Sequence, residues 1–163
     1  MAFFKHIQKA TEPRHWLGDM EADHHYYSAG VMGQRFFEAL RGKGQLLGAH
    51  CEKCDWTYVP PRLYCERCFS ELSELVNVGL RGRVRTFTVV HVDKQGQPLD
   101  PPEVFAIIEF GPNTTGFLHK LGGIAPEDVR IGMEVEAALK PKSKREGKIT
   151  DIQHFRPLKS RAR

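Results

Sequence analysis

No apolar run among the 163 residues approaches the roughly 18 that a membrane-crossing helix requires. The opening stretch MAFFKHIQK holds a two-residue apolar patch before charge returns, too little for the core of a secretory leader. The expected location is therefore the cytoplasm, where thiols stay reduced. Cysteine is absent outside one window, CEKCDWTYVPPRLYCERC at residues 51–68. The Gly-x-Ser-x-Gly elbow of serine hydrolases does not occur. Acidic residues are scarce at the C-terminal end: from Lys140 onward nine Lys or Arg face only Glu146 and Asp151. That stretch carries +7 and the rest of the chain −3. Such a segment suits phosphates or an acidic partner, and equally a solvated hairpin and tail. The composition, 40% hydrophobic and 27% charged, fits a soluble globular protein of one domain or two small modules.

The cysteines form two Cys-x-x-Cys pairs, Cys51/Cys54 and Cys65/Cys68, separated by ten residues. A thioredoxin-like redox motif needs a single pair opening a helix after a strand, which this pattern lacks. A disulfide staple is disfavoured in a reducing compartment. Two thiolates from each of two tight turns complete a closed tetrahedral shell around Zn²⁺, or iron in a recombinant host. A closed four-thiolate site has no open position for water and is structural. Asp-Trp-Thr-Tyr-Val after Cys54 alternates like a short strand and Pro60-Pro61 turns the chain, so the window reads as a zinc ribbon. The metal stands in for a core and holds Trp56, Tyr58, Pro61, Arg62 and Tyr64 in place. His50 is surplus to four thiolates.

Residues 1–23 show no clear period and read as an irregular arm, with a helical turn plausible around Asp23–Tyr27. Adjacent His24 and His25 do not share a helix face and are expected as surface histidines. Gly33–Gly42 reads as a helix with a Phe36, Phe37, Leu40 stripe, stopped by Gly42. The Gly-x-Gly at Gly42 and Gly44 ends a helix instead of opening one, so it is no dinucleotide fingerprint. From Val76 the period becomes two. Strands are expected over Arg83–Val92 (entered through Gly79 and Gly82, which bring ribbon and barrel close), Val104–Phe110 and Gly116–Leu121. A helical turn follows at Pro126–Val129, then a hairpin of Met133–Leu139 and Lys148–Phe155 across the basic loop. Five strands with a turn between the third and fourth describe a small OB-type barrel. The fold class is mainly β, an N-terminal helical segment preceding a rubredoxin-like zinc ribbon and a five-stranded OB-fold. The expected divisions are 1–45 arm and helix, 46–75 ribbon, 76–157 barrel and 158–163 basic tail.

FFEALRGKGQLLGAHC, the knuckles CEKC and CERC around VPPR, GRVRTFTVVHV and EDVRIGMEVEAAL together resemble the zinc-ribbon/OB-fold proteins known as DUF35. The resemblance runs from about Gln34 to Phe155. It implies an accessory subunit that associates with thiolase-superfamily enzymes forming or cleaving β-ketoacyl-CoA bonds, and that binds CoA or acyl-CoA. It carries over Cys51, Cys54, Cys65 and Cys68 as metal ligands.

Thioester chemistry needs a nucleophile with a base beside it, and the four cysteines are committed to metal. His91 and His119 fall within strands and read as barrel-wall residues. Glu134 and Glu136 share one face of a strand, an ordinary solvated pattern. The chain is therefore not expected to be catalytic alone. For the phosphates of CoA, Arg62, Arg81, Arg83, Lys120 and Arg130 are the candidates. The competing reading is a nucleic-acid-binding zinc-ribbon/OB-fold protein, against which stands the −3 charge of the main body. A free-standing CoA-thioester hydrolase is disfavoured by the missing nucleophile.

Overall fold

The computed structural model describes residues 28–93 and 95–158. The N-terminal arm, the turn around Asp23–Tyr27 and the tail from Lys159 lie outside them. The first element is α1, Gly30–Lys43, whose buried face is Met32, Phe36 and Leu40. These positions are four apart, one above the other on a helix. Phe37, the third residue of the apolar stripe, is half-buried, packs against the barrel core and meets Phe36 edge-on at 5.4 Å. Gly42 does not stop the helix. The chain continues to Lys43 and ends at Gly44, whose φ of 66° is the left-handed cap that glycine adopts without strain. The Gly44 N–H bonds the Leu40 carbonyl at 3.1 Å.

Three short strands follow: β1 (Leu47–Cys51), β2 (Trp56–Tyr58) and β3 (Leu75–Asn77), in the order β2-β1-β3, both pairings antiparallel. Five more strands, β4 (Arg81–Val92), β5 (Pro98–Glu109), β6 (Phe117–Leu121), β7 (Glu134–Leu139) and β8 (Ile152–Pro157), close a barrel ordered β4-β5-β6-β8-β7. A 3₁₀ turn, Pro126–Asp128, stands between β6 and β7, so the expected OB arrangement is present.

Three details depart from a plain period-two reading. Along β4 the inward residues are Val84, then Phe87 and Val89, a change of parity. The β4–β5 register slips between Val84 and Thr86, a bulge that turns the later residues to the other face. A second slip, between Val90 and Val92, leaves Val92 half in solvent. The last strand is shorter at its start than expected: Ile149–Asp151 is a 3₁₀ turn, and β8 begins at Ile152. The cause is the Asp151 side chain, which bonds the backbone N–H groups of Glu146, Gly147 and Lys148 and coils that stretch around itself.

Packing divides into two clusters. In the barrel, Val104, Ala106 and Ile108 of β5 meet Val84, Phe117, Leu121, Val135, Ile152 and Phe155. Phe36 and Leu40 of α1 belong to this cluster. Met32, one turn earlier, packs instead with Ala49, Cys51, Tyr58, Cys65 and Leu72 of the ribbon. One helix thus contributes to both modules. Leu40 is fully buried, so Leu40→Ala should cost about 2–5 kcal/mol, read as a lowered urea midpoint. Among the described residues no helix is long and apolar enough to cross a membrane.

Candidate metal centre and the cavity at the barrel rim

Cys51 ends β1, Cys54 lies in the turn before β2, and Cys65 and Cys68 sit on the second knuckle. Each pair is followed by a left-handed residue, Asp55 (φ 47°) after Cys54 and Phe69 (φ 58°) after Cys68. The second knuckle is tied by the Phe69 N–H to the Cys65 carbonyl and the Cys65 N–H to the Ser70 carbonyl, both 2.9 Å. All four sulfurs lie within 4.8 Å of one another. Cys51 and Cys68 Sγ are 3.6 Å apart, and Cys54 and Cys65 Sγ 3.8 Å. A tetrahedron with Zn–S bonds of about 2.3 Å has S···S edges of about 3.8 Å, so the donor set fits zinc in size as well as chemistry.

The surroundings bias the four thiols differently. Burial pushes Cys51 up, and Cys54 is raised to about 12 by its hydrogen bond with Cys68 and by burial. Burial also works to raise Cys65, yet hydrogen bonds from the Tyr58 hydroxyl and the Cys68 and Arg67 backbone outweigh it and bring that thiol down to about 6. Tyr58 Oη is 3.2 Å and the Arg67 amide nitrogen 3.4 Å from Cys65 Sγ. Ser70, whose hydroxyl oxygen is 3.3 Å from Cys68 Sγ, lowers Cys68. Donors aimed at sulfur are what a thiolate ligand needs around it.

Of the residues the ribbon was expected to display, Tyr58 and Pro61 are buried, Trp56 is half-buried under the Arg67 guanidinium at 3.8 Å, and Arg62 and Tyr64 are exposed. His50 points away from the sulfurs, its Nδ1 3.0 Å from the Thr57 hydroxyl and its Nε2 4.0 Å from Asp55.

The five basic candidates are not brought to one place. Arg81 and Arg83, on β4, line a cavity of about 620 Å³ with Glu109, Phe110, Pro112, Glu134 and Leu158. Arg83 is 2.9 Å from Glu134 and Arg81 3.7 Å from Glu136, both on β7, so the carboxylates read as a solvated face are the partners of these arginines. Arg62 lies apart, beside an apolar groove with Pro60, Pro61 and Leu63, paired with Glu66 at 2.6 Å. Lys120 pairs with Glu103, and Arg130 donates to the Glu127 and Val129 carbonyls. His91 is exposed. His119 stacks on Phe117 and edges Phe155, and burial lowers its pKa.

Sequence reading had not singled out the far wall of the cavity, Glu109–Pro112. Gly111-Pro112 was visible as a turn signal, but its proximity to Arg81 and Arg83 depends on strand pairing. Gly82 shows how close that pairing is: a Cβ there would lie 2.5 Å from the Glu109 carbonyl oxygen. Its part is to let β4 pass the end of β5, within the barrel, not to draw the ribbon near.

Residues 39–74 match the family model for the ChsH2 rubredoxin-like zinc ribbon domain, and residues 75–140 that for the ChsH2 C-terminal OB-fold domain. A DUF35 domain-containing scaffold protein of Methanocaldococcus jannaschii is 34% identical over 131 residues, covering 77% of this chain and 91% of the relative. The benzoylsuccinyl-CoA thiolase subunit BbsA of Geobacter metallireducens is 31% identical over 100 residues, covering 61% of this chain and 65% of BbsA. Among solved structures, a DUF35 protein of Sulfolobus solfataricus superposes with a TM-score of 0.61 at 26% identity, covering 79% of this chain and 87% of that one. A chain of the Ltp2–ChsH2(DUF35) aldolase does so at 0.56 and 28% identity, covering 76% and 91%. With both modules matched in order and the archaeal scaffold protein covered almost end to end, the chain belongs to the DUF35 family of zinc-ribbon/OB-fold proteins.

Proposed function

We propose that this chain is a non-catalytic accessory subunit of a thiolase-like complex that forms or cleaves β-ketoacyl-CoA bonds. The four cysteines hold a structural Zn²⁺, and the barrel-rim cavity takes part of a CoA ester. The observation that carries the reading is the similarity of this chain in sequence to a thiolase subunit, BbsA, and in fold to a chain of the Ltp2–ChsH2(DUF35) aldolase. The zinc supplies rigidity only, since a four-thiolate shell leaves no site for substrate. The partner supplies the nucleophile and base, and this chain supplies binding surface.

Arg81 and Arg83 are the assigned phosphate contacts, because they are the two candidates that share a cavity. Phe110 and Leu158 give that cavity apolar wall for the rest of the ligand. Glu134 holds Arg83 at rest, so a phosphate must displace a carboxylate to bind. Opposite outcomes follow for two substitutions. In the complex co-purified with its thiolase-type partner, Arg83→Ala should weaken CoA binding about tenfold, the value of one charge-assisted contact. Glu134→Gln should tighten it. Because binding of a remote phosphate is shared by ground and transition states, KM should move more than kcat. Calorimetric titration with CoA, run beside a check of assembly, measures both. Unchanged affinity in both variants removes the cavity assignment, and turnover by the rigorously purified single chain removes the accessory role.

A further inference from the structure

The free edge of the ribbon sheet is not free. β2 pairs with β1 on one side, and on the other it takes in the loop between β5 and β6 as an extra strand. The Thr57 N–H donates to the Asn113 carbonyl at 2.8 Å and the Thr115 N–H to the Thr57 carbonyl at 2.9 Å, a parallel bridge centred on Thr57 and Thr114. Thr115 Oγ1 accepts the Val59 N–H at 2.7 Å and lies 3.1 Å from the Val59 carbonyl, to which it donates. Asn113 Nδ2 donates to the Asp55 carboxylate at 2.9 Å. Five hydrogen bonds thus link segments more than fifty residues apart in sequence. Asp55 is the residue after Cys54, so the attachment begins one residue from a sulfur of the metal centre.

The other side of the same loop is the cavity wall. Glu109, Phe110, Gly111 and Pro112 line the cavity with Arg81 and Arg83, and one to three residues later the chain is stitched to β2. Inside the loop, Thr114 Oγ1 donates to the Gly111 carbonyl at 2.9 Å and accepts the Phe110 N–H at 3.3 Å, which joins the two sides.

We propose that the ribbon is a metal-dependent clamp on the β5–β6 loop, setting the position of the Phe110–Pro112 wall through Asp55, Thr57 and Val59. Thr115 and Asn113 are positioning residues for the cavity. A ribbon with little core keeps β2 in place only while its knuckles are held by metal. When the knuckles loosen, β2 loses its shape and the loop loses its five hydrogen bonds to Asp55, Thr57 and Val59, while β7 and β8, which make none of these bonds, keep theirs. The clamp stands whether or not the cavity takes a CoA ester, and its test uses no ligand.

Hydrogen exchange read by mass spectrometry on the full chain, zinc-loaded and chelator-stripped, tests it directly. Stripping should speed exchange of the 109–116 segment about tenfold or more, leave 134–139 and 152–157 unchanged, and be reversed by adding zinc. Thr115→Val, near in shape but without the hydroxyl, should release the same segment with metal content still one per chain. Asn113→Ala, at an exposed position, serves the same arm should the half-buried Thr115 prove essential for folding. Protection of 109–116 that survives chelation overturns the clamp. So does loss of protection across the whole barrel at once, which would make the metal a global stabiliser. Unchanged exchange in both variants, metal bound, overturns the assignment of these bonds.

Discussion

Cys65→Ser is expected to lose the bound metal and, with it, the ordered ribbon. Cys65 is fully buried, and the Tyr58 hydroxyl and the Arg67 N–H both converge on its sulfur, which lies 3.8 Å from Cys54 Sγ. A serine there offers a harder, shorter-reaching oxygen and leaves three thiolates around Zn²⁺. The apolar support is small, with Met32, Ala49, Tyr58 and Leu72 as its buried non-cysteine members. Structural zinc contributes about 10–16 kcal/mol to folding in zinc-finger peptides, at least as much as the burial of four such side chains supplies. Elemental analysis should give about one metal per wild-type chain and less than a tenth of that in the variant. Near-ultraviolet dichroism should lose the signal of Trp56, which stacks against Arg67 inside the ribbon. The barrel, with its own core from Val84 to Phe155, should keep its far-ultraviolet spectrum. Wild-type protein with no metal and four freely titrating thiols would refute the centre altogether.

That centre was legible in the sequence because its information is local. Ligand identity and the Cys-x-x-Cys spacing specify two turns, and two turns of that kind specify a tetrahedral shell. The barrel was legible for a related reason: alternation over Val104, Ala106 and Ile108 records which face is inside. Where alternation broke, as at Val84 and Phe87, the strand was still recognisable but the bulge between them was not. The α1 stripe was legible, since Phe37 packs against the same core as Phe36 and Leu40. It was incomplete: Met32 lies on the same line as Phe36 and Leu40, and the ribbon it packs against is a tertiary fact. The partners of Arg81 and Arg83 were hidden for the same reason, since Glu136 and Glu134 come alongside through β4–β7 pairing across some fifty residues. Nothing in Asn113-Thr114-Thr115 announces a strand that joins another module. Polar residues after Gly-Pro read as an ordinary turn, and here they make one that is also an edge strand.

Asp151 was the other hidden element, one of two acids counted against nine basic residues, and its replacement should be among the costliest outside the ribbon. It is the buried charged residue of the described chain, with no side-chain exposure. Its carboxylate accepts the Gly147 N–H at 2.7 Å, the Glu146 N–H at 3.0 Å and the Lys148 N–H at 3.3 Å, and lies 3.8 Å from Lys140 Nζ. Burial acts to raise its pKa, but the three backbone donors and the Lys140 charge prevail and hold it below the usual carboxylate range. Alanine would leave those amides without their acceptor and uncoil the Glu146–Asp151 turn that aims β8 into the barrel. Removing one partner of a buried, hydrogen-bonded charge costs about 3 kcal/mol or more, or about 10 °C in Tm for a chain of this size. Asparagine keeps the shape but turns an N–H₂ group toward N–H donors, so it should recover little. The pH dependence separates the charge from the shape. A carboxylate whose folded pKa lies below its unfolded value of about 3.9 stabilises fully above that value and loses its contribution as pH falls through the folded pKa. Wild-type protein should therefore lose urea resistance as the pH falls below about 4 more steeply than Asp151→Asn, whose midpoint is low at pH 7 and changes less on acidification. Parallel curves for the two proteins across that window would show that the Asp151 charge contributes nothing and that its backbone bonds could be made equally by a neutral side chain.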